Sequence, residues 1–204
     1  MKLVAPGEYA DAYLDLEYLA SEPYAAFVYD TPADAHALAR FVFEAGAGEA
    51  APPYGRLALD DDDRVAGMIA YLDADELARA RMAAATALVR GHKLSAASPA
   101  RERMLAAGAT LLAVAPDELY LSRIAVADGT RGRGIARELL AGYEAAAIAR
   151  GKRRLVLEVS PVHPAAIRLY TRCGFAEIAR HTTADAATGR ELCYLHLAKQ
   201  LATT

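Results

Sequence analysis

The chain has 204 residues, of which 54% are hydrophobic and 24% charged, with a formal net charge of −3. That length bounds one full-sized domain, or one domain with an appendage, and the composition is ordinary for a soluble globular protein. The slight negative charge leaves no electrostatic footprint for nucleic acid or for an anionic membrane.

Cys173 and Cys193 stand far apart, with no further cysteine or histidine at metal-ligand spacing. Such thiols imply a reducing cytoplasm, no disulfide framework and no bound metal. The opening MKLVAPGEYADAY has no apolar core before Glu8, unlike a signal peptide. The longest uncharged stretch, residues 104–116, falls short of the ~20 apolar residues of a membrane helix. The expectation is a cytoplasmic single-domain protein over 1–204, with neither nucleic acid nor membrane as partner.

In chain order, EYADAYLDLEYLA (8–20) spaces Tyr9, Tyr13, Leu16 and Leu19 as a helix, so residues 1–22 are expected as a helical extension. PYAAFVYD (23–30) reads as a short strand, rich in aromatic and β-branched residues. TPADAHALARFVFEAG (31–46) is a well-signalled helix, with Thr31 as N-cap, Pro32 in the first turn and Gly46 as stop. Two apolar runs, 57–59 and 65–72, flank the acidic turn DDDD and predict a hairpin. Residues 73–117 read as a helical insert: one helix to a stop at Gly91, then a second started by Pro99.

A strand at 119–127, a glycine turn and a helix to Arg150 come next, with Ile135, Leu139 and Tyr143 on one stripe. The strand RRLVLEVS (153–160), the helix PAAIRLYTRCG (164–174) and a strand pair over 175–181 and 191–199 complete the chain. This alternation predicts an α/β sheet with crossover helices.

The glycine turn TRGRGIAR (130–137) carries the chemistry. It fails as a P-loop, because Ile135 and Ala136 follow Gly134 where lysine and serine or threonine belong. It fails as a dinucleotide fingerprint, because Arg137 stands where a third small residue must pack. What remains is Arg131-x-x-Gly134-x-Ala136 at a strand-to-helix junction, whose free N–H groups and helix dipole suit a phosphate. A plain solvated turn fits the same residues.

The span ELYLSRIAV…RGRGIARELL…RRLVLEVSP…AAIRLYTRCGF resembles the GNAT superfamily of N-acetyltransferases. The order matches the family's fourth strand, R-x-x-G-x-G/A pyrophosphate loop, helix, fifth strand and A-x-x-L-Y-x-x-x-G-F helix. The resemblance implies an α/β (α+β) fold, with a central mixed sheet of about seven strands flanked by helices. The fourth and fifth strands would splay in a V. Acetyl-CoA would be the cosubstrate: its pyrophosphate on Arg131, Gly132, Arg133, Gly134, Ile135 and Ala136, its pantetheine arm against Ile124, Ala125 and Val126. A main-chain N–H of that strand would polarise the thioester carbonyl.

Tyr170 holds the family's tyrosine position and would act as general acid toward the leaving thiolate. The position where some relatives carry a basic glutamate is Tyr120. Glu118, two residues earlier on the same strand face, is the nearest substitute, with Glu158 on the next strand as a weaker one. His163 stands where many relatives have asparagine; it caps poorly and could instead touch the cofactor. The implied function is acetyl transfer to a primary amine of a small molecule or of a peptide N-terminus or lysine. The alternative is a catalytically weak acyl-CoA-binding regulatory module. The insert, with Arg79, Arg81, Arg90, His92, Lys93, Arg101 and Arg103, reads as a solvated helical pair, a wall over the amine pocket, or a homodimer surface.

Overall fold

The computed structural model of the protein describes residues 1–91 and 98–202; His92 and Lys93 lie outside them. Seven strands form one mixed sheet in the order β1-β2-β3-β4-β5-β7-β6. They are β1 (Lys2–Val4), β2 (Gly55–Leu59), β3 (Val65–Asp73), β4 (Glu118–Val126), β5 (Arg154–Val159), β6 (Ala176–Ala184) and β7 (Glu191–Gln200). Only β4 and β5 run parallel. The helices are α1 (Ala10–Val28), α2 (Pro32–Glu44), α3 (Ala74–Arg90), α4 (Pro99–Gly108), α5 (Ile135–Ala149) and α6 (Pro164–Arg172). None among the described residues is long and apolar enough to cross a membrane.

The helices divide by face. Leu119 and Leu121 of β4, with Leu155, Leu157 and Val159 of β5, pack on Leu139, Tyr143 and Ala147 of α5 and on Tyr170 of α6. The alternate residues Tyr120 and Val156 turn the other way, onto Leu77 and Ala80 of α3. Period-two alternation thus gives each strand two buried faces, as a parallel pair under crossover helices requires. Helix starts follow the sequence signals. Thr31 accepts a hydrogen bond from the Asp34 N–H at 3.1 Å. Asp73 and Glu76 form a reciprocal capping box at α3, each bond 2.9 Å.

Two expectations are corrected at the N-terminus. Residues 23–28 continue α1 and form no strand. Their aromatic content is used on a helix face, where Phe27 and Val28 are buried beside Ala107 of α4 and Leu192 of β7. Pro23 inside this helix removes the N–H that would bond the Leu19 carbonyl. The first residues are not helical either: Lys2–Val4 pair antiparallel with β2 as an edge strand.

The β4–β5 pairing is short. It runs from Glu118↔Arg154 to Leu121↔Leu157 and stops, while β4 stays paired with β3 as far as Val126↔Gly67. Below the parting, the buried Tyr143 hydroxyl of α5 donates toward the main-chain carbonyls of Leu119 and Val156, one on each strand. Removing it with Tyr143→Phe should cost about 1 kcal/mol of stability. A thermal melt should show Tm lower by roughly 2–4 °C, with the sheet retained by circular dichroism.

Candidate active site

At the C-terminal end of β4 the chain makes the glycine turn before α5. Gly132 and Gly134 adopt left-handed φ values of 79° and 84°, conformations that glycine takes at no steric cost. A side chain on either would meet nothing within 4 Å, so the space in front of the turn is open. The N–H groups of Gly132, Arg133, Gly134, Ile135 and Ala136 find no acceptor among the described residues, and no side chain caps α5. This row of donors at a helix N-terminus is suited to an anion. Arg131 is half-committed, its guanidinium 2.7 Å from Asp128, and Arg133 is exposed.

From this turn a groove of about 470 Å³ runs into the gap between β4 and β5. Ile124, Ala125 and Val126 line one side, Ser160, His163 and Ala166 the other, and Arg131 its mouth. Beyond Leu121 the edge of β4 that faced β5 carries main-chain groups with no strand partner, a ready template for an extended ligand. His163 stands at the start of α6 without capping it, and its Nε2 is buried without a partner. Tyr170 is 5% exposed and packs edge-on against Phe175. Its hydroxyl hydrogen-bonds no protein group among the described residues and opens on the groove. Burial raises its pKa, so the phenol keeps its proton.

Glu158 stands at the parting itself, one residue past the last paired position of β5. Its carboxylate accepts the Leu112 N–H and, at 2.8 Å, the Tyr120 hydroxyl. The Tyr120 position is therefore coupled to a carboxylate after all, supplied by the neighbouring strand. Desolvation pushes the Glu158 pKa up to about 6. His196 Nε2 lies 3.6 Å away, but it donates its proton to the Thr110 carbonyl at 2.7 Å. Burial holds His196 below its ordinary pKa, so it is neutral and lends Glu158 no charge.

Glu118 is not brought to this point. It lies at the closed end of the strand pair, bonded to Arg154 at 2.9 Å and to the Ala115 N–H at 2.8 Å, and lines neither cavity. Alternation puts Glu118 on the face of Tyr120. Depth along the strand separates them.

On that face a second cavity, of about 570 Å³, adjoins the groove; Ala20, Ser122, Arg123, Glu158 and Tyr194 border both. A β-bulge creates the border. Ala70 pairs with Arg123 and Tyr71 with Leu121, so Ser122 is an extra residue. The bulge turns Ser122 and Arg123 together into the cavity, where they join Glu17 of α1 and Glu49. Arg123 Nε is 3.0 Å from Glu17 and its Nη1 3.1 Å from Ser122 Oγ. Ser122 donates to Glu49 at 2.9 Å, and Arg81 of α3 reaches Glu49 at 2.7 Å. The Tyr13 hydroxyl fixes the Glu49 loop by donating to the Ala50 carbonyl at 2.7 Å. Glu17, Glu49 and Arg123 were missed in the sequence; the one signal was a lone charge, Glu49, in the small-residue run AGAGEAAPP. Arg81, Leu88 and Met104 put both insert helices into the cavity wall. Among the described residues no three His, Cys, Asp or Glu gather as a metal site.

The sequence model of the acetyltransferase (GNAT) family matches residues 14–175. The chain belongs to this family. It is an acyltransferase of the GNAT fold, and the parted strands, glycine turn and Tyr170 helix all fall within or at the edge of the matched span. No curated protein matches by sequence. Among solved structures, an N-acetyltransferase from Staphylococcus aureus Mu50 superposes with a TM-score of 0.68 at 16% identity, over 97% of this chain and all of the other. A further acetyltransferase gives 0.66 at 20% identity, over 99% of this chain and all of the other. The ribosomal-protein-S18-alanine N-acetyltransferase of Escherichia coli gives 0.54 at 20% identity, over all of this chain and 95% of the other. At these identities the likeness is one of fold.

The Glu158 environment has a direct readout. Its carboxyl, followed by carbon-13 NMR in glutamate-labelled protein, should titrate near pH 6. Tyr120→Phe removes a hydrogen bond that favours the ionised form, so the midpoint should move higher still.

Proposed function

We propose that this GNAT acyltransferase is an acetyl-CoA-dependent N-acetyltransferase, in which a primary amine attacks the thioester directly. The observation that carries this reading is the meeting of Tyr170 and Glu158 on one groove, at the point where β4 and β5 part. One is an unpartnered neutral phenol, the other a carboxylate poised near neutral pH. An acid and a base whose environments set them to opposite protonation states are what acyl transfer to an amine needs.

Acetyl-CoA would supply an activated acetyl group. The free N–H row from Gly132 to Ala136 fits its pyrophosphate, and the unpaired edge of Ile124–Val126 fits its arm; the orphaned His163 Nε2 gives a further contact. Glu158 accepts the proton that the amine sheds as the C–N bond forms. Tyr170 delivers a proton to the sulfur as the C–S bond breaks. A main-chain N–H of the parted β4 edge stabilises the negative charge that develops on the carbonyl oxygen. One proton leaves the amine and one reaches the thiol, and solvent resets both residues.

A CoA-release assay with a good amine tests these roles. Tyr170→Phe should leave CoA affinity unchanged by calorimetry while lowering kcat by roughly 100-fold or more. Unchanged turnover would overturn the acid assignment. For the wild type, kcat/KM should fall as pH drops through about 6, because Glu158 becomes protonated and ceases to be a base. Glu158→Gln should lower the rate and abolish that limb. Gly134→Val, which forces a β-branched residue into a left-handed backbone and so disturbs the donor row, should weaken CoA binding roughly tenfold or more.

A further inference from the structure

We infer that the acceptor is a hydrophobic monoamine: a single primary amine on an apolar or aromatic body, without a carboxylate or a second positive charge. The inference rests on the transfer reading above and concerns the cavity across the parting from the CoA groove.

Most of the cavity's charges are paired with one another. Arg123 is held by Glu17 and Ser122, and Arg81 by Glu49. Arg81 keeps one buried nitrogen, Nη2, without a partner, but a substrate carboxylate reaching for it would face Glu17, Glu49 and Glu158 in the same cavity. A second ammonium would have to take Glu17 or Glu49 from its arginine, leaving that partly buried cation uncompensated. With Glu158 ionised, the three carboxylates outnumber the two guanidiniums by one. That excess sits at Glu158, beside the groove, and matches one ammonium, which gives one proton to solvent before it attacks as the neutral amine.

The rest of the wall is apolar. Leu38 and Val42 of α2, Leu88 of α3 and Met104 of α4 close around the about 570 Å³ space. Such a lining favours an apolar body over a peptide or a sugar, whose many amides or hydroxyls would outnumber the few polar groups in the wall. Tyr24, Tyr29 and Tyr194 border the same space, and their hydroxyls bond no protein group among the described residues. Their ring faces suit an arriving cation or an aromatic body. Burial keeps these phenols neutral, so they can hydrogen-bond an uncharged substituent such as a phenol.

Calorimetry on the full chain, with and without saturating CoA, tests the class independently of catalysis. The probes are 2-phenylethylamine and hexylamine, against phenylalanine, spermidine and the peptide Ala-Ala-Ala. The monoamines should bind with Kd below about 1 mM, and roughly tenfold or more tighter than the other three. CoA release from acetyl-CoA should follow the same order. Ala39→Phe, which fills the cavity from α2, should weaken 2-phenylethylamine roughly tenfold and leave CoA affinity unchanged. Leu88→Glu, on α3, reads the same wall by charge: it should weaken 2-phenylethylamine and strengthen spermidine. Phenylalanine, spermidine or the peptide matching the monoamines in binding and in CoA release would overturn the inference and leave the transfer reading standing. Monoamine binding in the expected order with no CoA release would uphold the pocket and overturn the transfer reading.

Discussion

The site depends on one constraint: β4 and β5 hydrogen-bond only up to Leu121↔Leu157 and then separate. Two strands of a buried sheet that part leave main-chain donors and acceptors unmatched, which is costly unless something else pairs with them. The protein confines the defect. β3 follows β4 to Val126, so β4 stays ordered on its other edge. Tyr143 ties the two strands together just below the opening. β5 is held on its far side by β7, from Arg154↔Gln200 to Val159↔Leu195. The exposed edge is therefore a fixed slot, pre-shaped for an extended ligand and opening at one end on the glycine turn.

The bulge at Ser122 gives that slot its second wall. In an unbroken strand Leu119, Leu121 and Arg123 would share a face, and Arg123 would be driven into the leucines and Tyr143 under α5. The extra residue reverses the alternation, so Ile124 continues the α5 side while Arg123 and Ala125 face α1. A buried guanidinium must be compensated, and Glu17 and Glu49 do so from two separate segments. Glu158 differs from them. It has a phenol and an amide N–H but no cation bonded to it, and its nearest imidazole is neutral. Hence Glu17 and Glu49 are engaged by arginines, whereas Glu158, desolvated and without such a partner, is left near the point of exchanging a proton.

What could be read from the sequence follows from how local each feature is. The glycine turn and the Ala166–Phe175 segment are contiguous. Their meaning lies in turn chemistry and helix spacing, and both stand where the sequence put them. The hairpin and the helix starts at Thr31 and Pro99 were equally legible, because these residues act within three residues of themselves. Residues 23–28 were misread because aromatic and β-branched content favours a strand only when nothing else buries it. Here α4 and β7, distant in sequence, bury it on a helix face. Glu118 and Glu158 show the other limit. Alternation identifies the face, but only the inter-strand register tells which carboxylate stands at the opening, and register is fixed by pairings that no single segment encodes.

The two sides of the opening are built from different parts of the chain. The groove side comes from β4, the glycine turn and the start of α6, all within residues 121–170 apart from Leu19, Ala20, Pro23 and Tyr194. The other side comes from α1, α2, the Glu49 loop, α3, α4 and Leu111. Substitutions among Leu38, Val42 and Leu88 can therefore reshape the second cavity without touching the donor row or Tyr170. Those at Ser122, Arg123, Glu158 or Tyr194 cannot, since these residues border both spaces. Arg81 links the two systems at one remove: it reaches Glu49, which accepts from Ser122 on the bulge. The insert helices are consequently more than a cover, because α3 supplies the cation that balances the carboxylate next to the parted strand. Loss of that cation would leave Glu49 free to raise the Glu158 pKa further, since Glu49 already acts on it in that direction.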